Sequence, residues 1–204
     1  MSAHPVRVYY LIGASLEGVA MDFRLVFRGE LPSGNSKTLT DVHRVRCAFH
    51  KQIQELWKTH PALDAQHLDE VRPKGDISVL EKRAGHSFVC VVTNRLFLHC
   101  ELQILFLRPH PKGEIVTQSG DLDNRIKTLF DALRIPTEKE ANSLFRESTA
   151  LESPFHCLLQ DDALISKFSV DADRLLEFTN PREVHLVITA NVRPTKTVWG
   201  NLGY

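Results

Sequence analysis

The sequence predicts an α+β fold: a mixed β-sheet with two main helices packed on one face. Three observations carry this. Several segments alternate apolar and polar residues with period two, as half-buried strands do. Two segments repeat apolar residues at spacings of three and four, the stripe of an amphipathic helix. The order reads strand, helix, hairpin, helix, strand, strand, and alternation means that the two faces of the sheet meet different surroundings.

The first strand is "MDFRLVFRG" (21–29), with Phe23, Leu25 and Phe27 on one side and Asp22, Arg24 and Arg28 on the other. "ELPSGNSK" supplies loop residues. Thr38, three residues before Asp41, marks a helix start. Val42, Val45, Phe49, Ile53 and Leu56 give that helix its apolar face, and Pro61 ends it by removing a backbone donor. Residues 61–85 read as a long loop with room for a short helix. "SFVCVVTNRLFLHCELQILFLRP" holds two apolar runs divided by Thr93-Asn94-Arg95, the pattern of a hairpin. "HPKGEIVTQSG" is a loop.

The second helix is "DLDNRIKTLFDALR", with Leu122, Ile126, Leu129 and Leu133 at helical spacing. Residues 135–157 interrupt, and Thr137 three before Glu140 resembles a capping box for a short helix. "LLQDDALISKFSVD" leads into a strand whose core side would be Leu164, Phe168 and Val170. "EVHLVITANV" is the clearest strand, and the tail after it reads as irregular.

The chain has 204 residues, enough for one large domain or one domain with embellishments, and 25 basic residues offset 25 acidic ones. Zero formal charge gives no global electrostatic case for a nucleic-acid or membrane surface, and leaves room for a local basic face. Cys47, Cys90, Cys100 and Cys157 form no CxxC pair and no zinc spacing. They read as small apolar residues in a reduced, cytoplasmic setting. No apolar run is long enough for a membrane helix. Residues 1–20 make a poor secretion signal and read as an extension or an extra edge strand.

On a helical wheel, Asp123, Lys127 and Asp131 fall at i, i+4 and i+8 on one polar stripe opposite the apolar one. Asp121 precedes them, and Asn124 and Arg125 lie beside the stripe. A helix N-terminus favours anions, and a cap needs one carboxylate. A second carboxylate next to it is repelled unless a cation stands between them. All-oxygen donors of this kind suit Mg²⁺, which keeps waters for substrate phosphates. Asp161 and Asp162, at the mouth of a later strand, can complete the cluster. Lys127 would reach a phosphate or neutralise a developing oxyanion. The competing reading of a D-x-D pair is cap and turn chemistry alone.

"DLDNRIKTLFDAL" followed by "DDALI" resembles the RusA family of Holliday junction resolvases, crossover junction endodeoxyribonucleases with a D-L-D-N-x-x-K-x-x-x-D-A-L element and then D-D-x-x-[IV]. "LPSGNSK" stands where that family has a Pro- and Asn-rich loop. The resemblance covers roughly residues 21–60 and 96–192, and only the motif region is specific. It implies a RusA-like fold in a single domain over 21–204. Relative to the family the chain adds residues 1–20 and insertions near 61–95 and 135–157. It implies Asp121, Asp123 and Asp162 as ligands of Mg²⁺ (or Mn²⁺), Asp161 as a less essential neighbour, and Lys127 as the catalytic lysine. Asn124 and Asp131 fall on motif positions with structural roles.

The implied activity is paired nicking of a four-way DNA junction by a homodimer, leaving 5′-phosphates, in recombination and repair. Candidate DNA contacts are Lys37, Arg44, Arg46, Lys51, Arg108, Lys112 and Arg125. Two alternatives stay open: the same chemistry on other branched, flap or foreign DNA, in a phage or defence context, and a non-catalytic DNA-binding module. A transition-metal site from His43, Cys47 and His50 at i, i+4, i+7 lacks an evident fourth ligand. GxSxG and P-loop patterns are absent.

Overall fold

A computed structural model describes residues 21–33, 37–64, 78–117, 121–145, 152–177, 180 and 182–201. The side chains of Lys112, Val116, Thr117 and Asp121 lie outside that description, as do residues 1–20, expected as an extension or extra strand. The α+β expectation holds, with the strands divided between two sheets.

The larger sheet runs β1 (Met21–Glu30), β7 (Glu183–Pro194), β4 (Leu98–Arg108), β6 (Ile165–Arg174). Its first two pairings are antiparallel and the last is parallel. Alternation works as expected: Leu25 and Phe27 on β1 and Val184, Leu186, Ile188, Ala190 and Val192 on β7 are buried. They pack against α1 (Leu39–Thr59) and α4 (Asp121–Leu133) in one continuous core. The α1 start is the predicted one: the Thr38 side chain accepts from the Asp41 amide and Asp41 reaches back to the Thr38 amide. The helix ends at Thr59, before Pro61 opens the single turn α2 (Pro61–Asp64). Residues 112–117, read as loop, form the short helix α3 (Lys112–Thr117).

The expected hairpin is not one. β3 (His86–Val92) pairs with β2 (Leu80–Arg83) and β5 (Phe155–Leu159), whereas β4 belongs to the other sheet. A 3-10 turn over Asn94–Leu96 and Phe97 at φ 55 redirect the chain between them. The burial patterns give the reason. Phe88 to Val92 are all buried, so β3 is covered on both faces, while β4 alternates and leaves one face open. β5 is buried throughout as well and runs parallel to β3. Its run of five apolar and aromatic side chains carries no period, and it straddles the end of the stretch expected as an insertion (135–157).

α5 (Glu138–Phe145) begins at the predicted capping box, with Thr137 and Glu140 exchanging hydrogen bonds. Phe145 and Ala141 of α5 close a second, smaller core with Phe88, Cys90, Ile135, Phe155 and Cys157. β2, β3, α5 and the first three residues of β5 therefore come from the two stretches that the resemblance marks as additions, and they assemble with one another.

Phe168 corrects the reading of the acidic-pair strand. Leu164 is buried, but β6 is the sheet edge and Phe168 is 52% exposed, its ring edge-on to Phe130 at 5.2 Å. All four cysteines are free thiols, and burial pushes Cys100 and Cys157 up to about 12, so they stay protonated. Among the described residues no helix is long and apolar enough to cross a membrane.

Burial also holds His43 and His156 down to about 4, with Arg46 near the first and His50 near the second opposing a further positive charge. The proton is thus bound more tightly by the unfolded chain, near its ordinary value of 6.5. Stability is fully present above that value and is lost as pH falls from about 6.5 toward 4. A shift of this size corresponds to about 3 kcal/mol per group. Both rings keep some contact with water, so about 1–2 kcal/mol each is expected. Urea unfolding at pH 7.5 and pH 5 should show this loss; equal stabilities would contradict it.

Candidate metal and phosphate site

α4 exists because Ile126, Leu129, Ala132 and Leu133 bury against the sheet. The same rotation turns Asp123 and Lys127 outward, their side chains 69% and 65% exposed, with Lys127 Nζ 2.7 Å from Asp123 Oδ2. Asp121 opens the helix; its side chain lies outside the described set.

The second carboxylate pair arrives by way of β5. On one side β5 pairs with β3, and on the other it bridges Arg134, the exit of α4, with the Ile135 amide donating to Leu159 at 2.9 Å. Gln160 then fixes the chain: its amide donates to Val92, and its Oε1 accepts from the Thr93 hydroxyl and the Asn94 amide. Asp161 and Asp162 come next. Asp161 is the N-cap of a 3-10 turn over Asp162–Leu164, its Oδ1 accepting from the Ala163 amide at 2.9 Å. Asp162 follows in that turn and is exposed. The turn packs directly on α4, with Leu164 in the core shared by Ile126 and Leu129. The two acidic motifs, 37 residues apart in the chain between Asn124 and Asp161, thus sit on touching elements.

The donor chemistry suits a hard divalent cation: carboxylate oxygens at the surface, with no thiolate or imidazole among them. Among the described residues no three His, Cys, Asp or Glu side chains gather closely enough to hold a metal; the expected triad draws its third member from Asp121. Capping accounts for Asp161 and leaves Asp123 and Asp162 without such a role.

Asp131 is held from two sides. Asp131 Oδ2 accepts from Lys37 at 2.6 Å and Oδ1 from Arg134 at 2.9 Å. Arg134 also forks onto both carboxylate oxygens of Glu140. Burial would weaken the Arg134 charge, but Glu140 and Asp131 more than offset it and raise its pKa. The Arg134–Glu140 pair is not foreseen from the sequence, which marks Glu140 only as the capping-box partner of Thr137; the i, i+3 spacing of Asp131 and Arg134 is the local signal for the other half of the network.

The candidate DNA contacts divide. Arg46 is a correction: it is 1% exposed, its Nε donating to the Arg134 carbonyl and one terminal nitrogen to the Asp131 carbonyl. It stitches α1 to the end of α4 and offers nothing to a phosphate. Lys37 is tied to Asp131, and Arg125 donates to the Leu31 carbonyl, steadying the Pro32 loop against α4. Arg44 is exposed and anchored on the Glu30 carbonyl, Lys51 is exposed, and Arg108 is half-buried at the end of β4. The Lys112 side chain lies outside the described residues.

The His43–Cys47–His50 alternative is not assembled as a metal set. His43 Nε2 lies 3.5 Å from Cys47 Sγ, but His50 turns elsewhere, to Glu152 through Nε2 and to the His156 amide through Nδ1.

No family model, curated protein or solved structure matches the chain.

Proposed function

We propose that this chain is a Mg²⁺-dependent DNA endonuclease that nicks four-way junctions, with Asp121, Asp123 and Asp162 holding the cation. The observation that carries the reading is the packing of the Asp162 turn directly on the helix that bears Asp121 and Asp123. Mg²⁺ bound there would supply the activated water and charge stabilisation of phosphodiester hydrolysis. Asp123 orients Lys127 through their ion pair, and Lys127 Nζ is placed to neutralise charge on a phosphate oxygen. Asp161 holds the turn that presents Asp162.

Nicking of flaps or forks is the second reading. It is favoured by the structural use of Arg46 and the tethering of Lys37 and Arg125, which thins the set of cations available to a large junction. A cleavage panel of junction, flap, fork and linear duplex in Mg²⁺ tests both. Nicks in the junction with 5′-phosphates support the first reading, flap-only nicking supports the second, and a panel left intact in Mg²⁺ and in Mn²⁺ removes the nuclease.

A further inference from the structure

Gln160, the residue before the acidic pair, is held by β2 and the β3 exit. Its amide donates to the Val92 carbonyl at 2.9 Å, and its Oε1 accepts from the Thr93 hydroxyl and the Asn94 amide. Its Nε2 donates to Glu81 Oε1 at 3.1 Å. Each of these partners lies in the stretch near 61–95 that the chain adds to the resemblance. The added stretch therefore fixes the approach to Asp161 and Asp162.

Glu81 decides how Gln160 sits. Its side chain is 7% exposed, and besides Gln160 it accepts from Arg83 Nη1 at 3.1 Å and pairs with Arg95 Nη2 at 2.8 Å. Arg95 is itself tied to the Ser78 and Leu80 carbonyls. A carboxylate buried this deeply stays ionised only with such partners. Ionised, it accepts and cannot donate. The Gln160 amide must then turn its NH2 group to Glu81, which leaves Oε1 for Thr93 and Asn94, both donors. Reversed, it would set oxygen against carboxylate and NH2 against the Asn94 N–H. Glu81 thus selects one of two amide orientations that are equal in shape.

We propose that Glu81 is a positioning residue for the cation held by Asp121, Asp123 and Asp162, a role that rests on that reading of the site. Glu81 acts through Gln160, whose main chain leads directly into Asp161, the cap of the turn that carries Asp162. Beyond the turn, Leu164 packs in the core with Ile126 and Leu129 of α4. The turn is clamped between the small sheet and the helix that bears the other two aspartates. Ligands supported in this way bind more tightly, because their geometry is set before the cation arrives.

Mn²⁺ binding followed by electron paramagnetic resonance tests it, because free Mn²⁺ is read directly and no cleavage is needed. Thermal melting without metal gives the folded fraction, so affinities are compared per folded molecule. Glu81→Gln offers donor and acceptor alike, frees the Gln160 amide to turn, and should weaken Mn²⁺ binding about tenfold. Gln160→Glu sets two carboxylates against each other and should weaken it at least as much. Glu81→Gln together with Gln160→Glu moves the carboxylate to position 160, where it accepts from Thr93, Asn94 and the amide at 81. The pair should restore affinity to within about threefold of the parent. A purely structural role would lower the melting temperature and leave the affinity per folded molecule unchanged. Equal affinity in the parent and Glu81→Gln, or a double variant no better than Gln160→Glu, overturns the proposal. A parent that binds no Mn²⁺, or binds it regardless of Asp162→Asn, removes the metal site and the proposal with it. Affinities that follow the expected order in a protein that cuts no DNA support the role of Glu81 and remove only the nuclease.

Discussion

Asp123→Asn is expected to lower Mg²⁺-dependent junction cleavage by about 1,000-fold, equivalent to about 4 kcal/mol of transition-state stabilisation. The amide keeps the size of the carboxylate and removes the charge that a hard cation requires. It also dissolves the 2.7 Å ion pair that orients Lys127. The side chain is 69% exposed and makes no contact with the core, so stability should change by less than about 0.5 kcal/mol. Junction affinity should hold or rise slightly, since a negative charge leaves the surface facing the phosphates. Lys127→Ala removes only the cation and should cost about 100-fold. Gel cleavage and binding assays on the same preparations separate chemistry from affinity. Parent-like cleavage by Asp123→Asn would remove the carboxylate from the mechanism.

Much of this arrangement can be read from residue order because it rests on local signals. The Thr38–Asp41 and Thr137–Glu140 boxes fix two helix starts within a turn of the chain. The wheel of α4 separates Ile126, Leu129 and Leu133 from Asp123 and Lys127 by rotation alone. What stays hidden depends on distant partners. β3 and β4 are adjacent apolar runs, and a hairpin is the cheapest local connection. That they part company follows from β5, whose five covered side chains lie more than 60 residues downstream and claim the edge of β3. Phe168 fails for a similar reason: its period assigns it to the core face, but nothing in the period says that β6 is the last strand. The acidic turn is intermediate. Its residues are legible, and its position against α4 depends on Gln160, a polar residue bonded to Val92, Thr93 and Asn94 at the β3 exit and to Glu81 on β2.

Arg46→Ala should destabilise the fold by about 3–5 kcal/mol, a large share of the 5–15 kcal/mol typical of a domain. An arginine in the middle of a helix looks like surface charge, and a seven-residue window around Arg46 offers no hint otherwise. The structure places it between α1 and the last turn of α4, where helix carbonyls lack intrahelical donors. Its fork satisfies the Asp131 and Arg134 carbonyls at 2.7 and 3.1 Å, and a positive charge there complements the negative end of the helix dipole. Burial, with Arg134 also near, lowers the Arg46 pKa while Glu140 works the other way, so charge and hydrogen bonds are held in tension. Alanine leaves both carbonyls unpaired and opens a cavity. Methionine fills the cavity and removes the buried charge, so Arg46→Met should lose less, about 1–2 kcal/mol. Lysine restores charge without the fork and should fall between the two. Urea unfolding with an unchanged m-value checks the order. Because the lost contacts lie at the far end of α4 from Asp123, Arg46→Met should keep cleavage per folded molecule. A methionine variant that folds fully but does not cut would show instead that the α1–α4 stitch sets the angle at which α4 presents its aspartates.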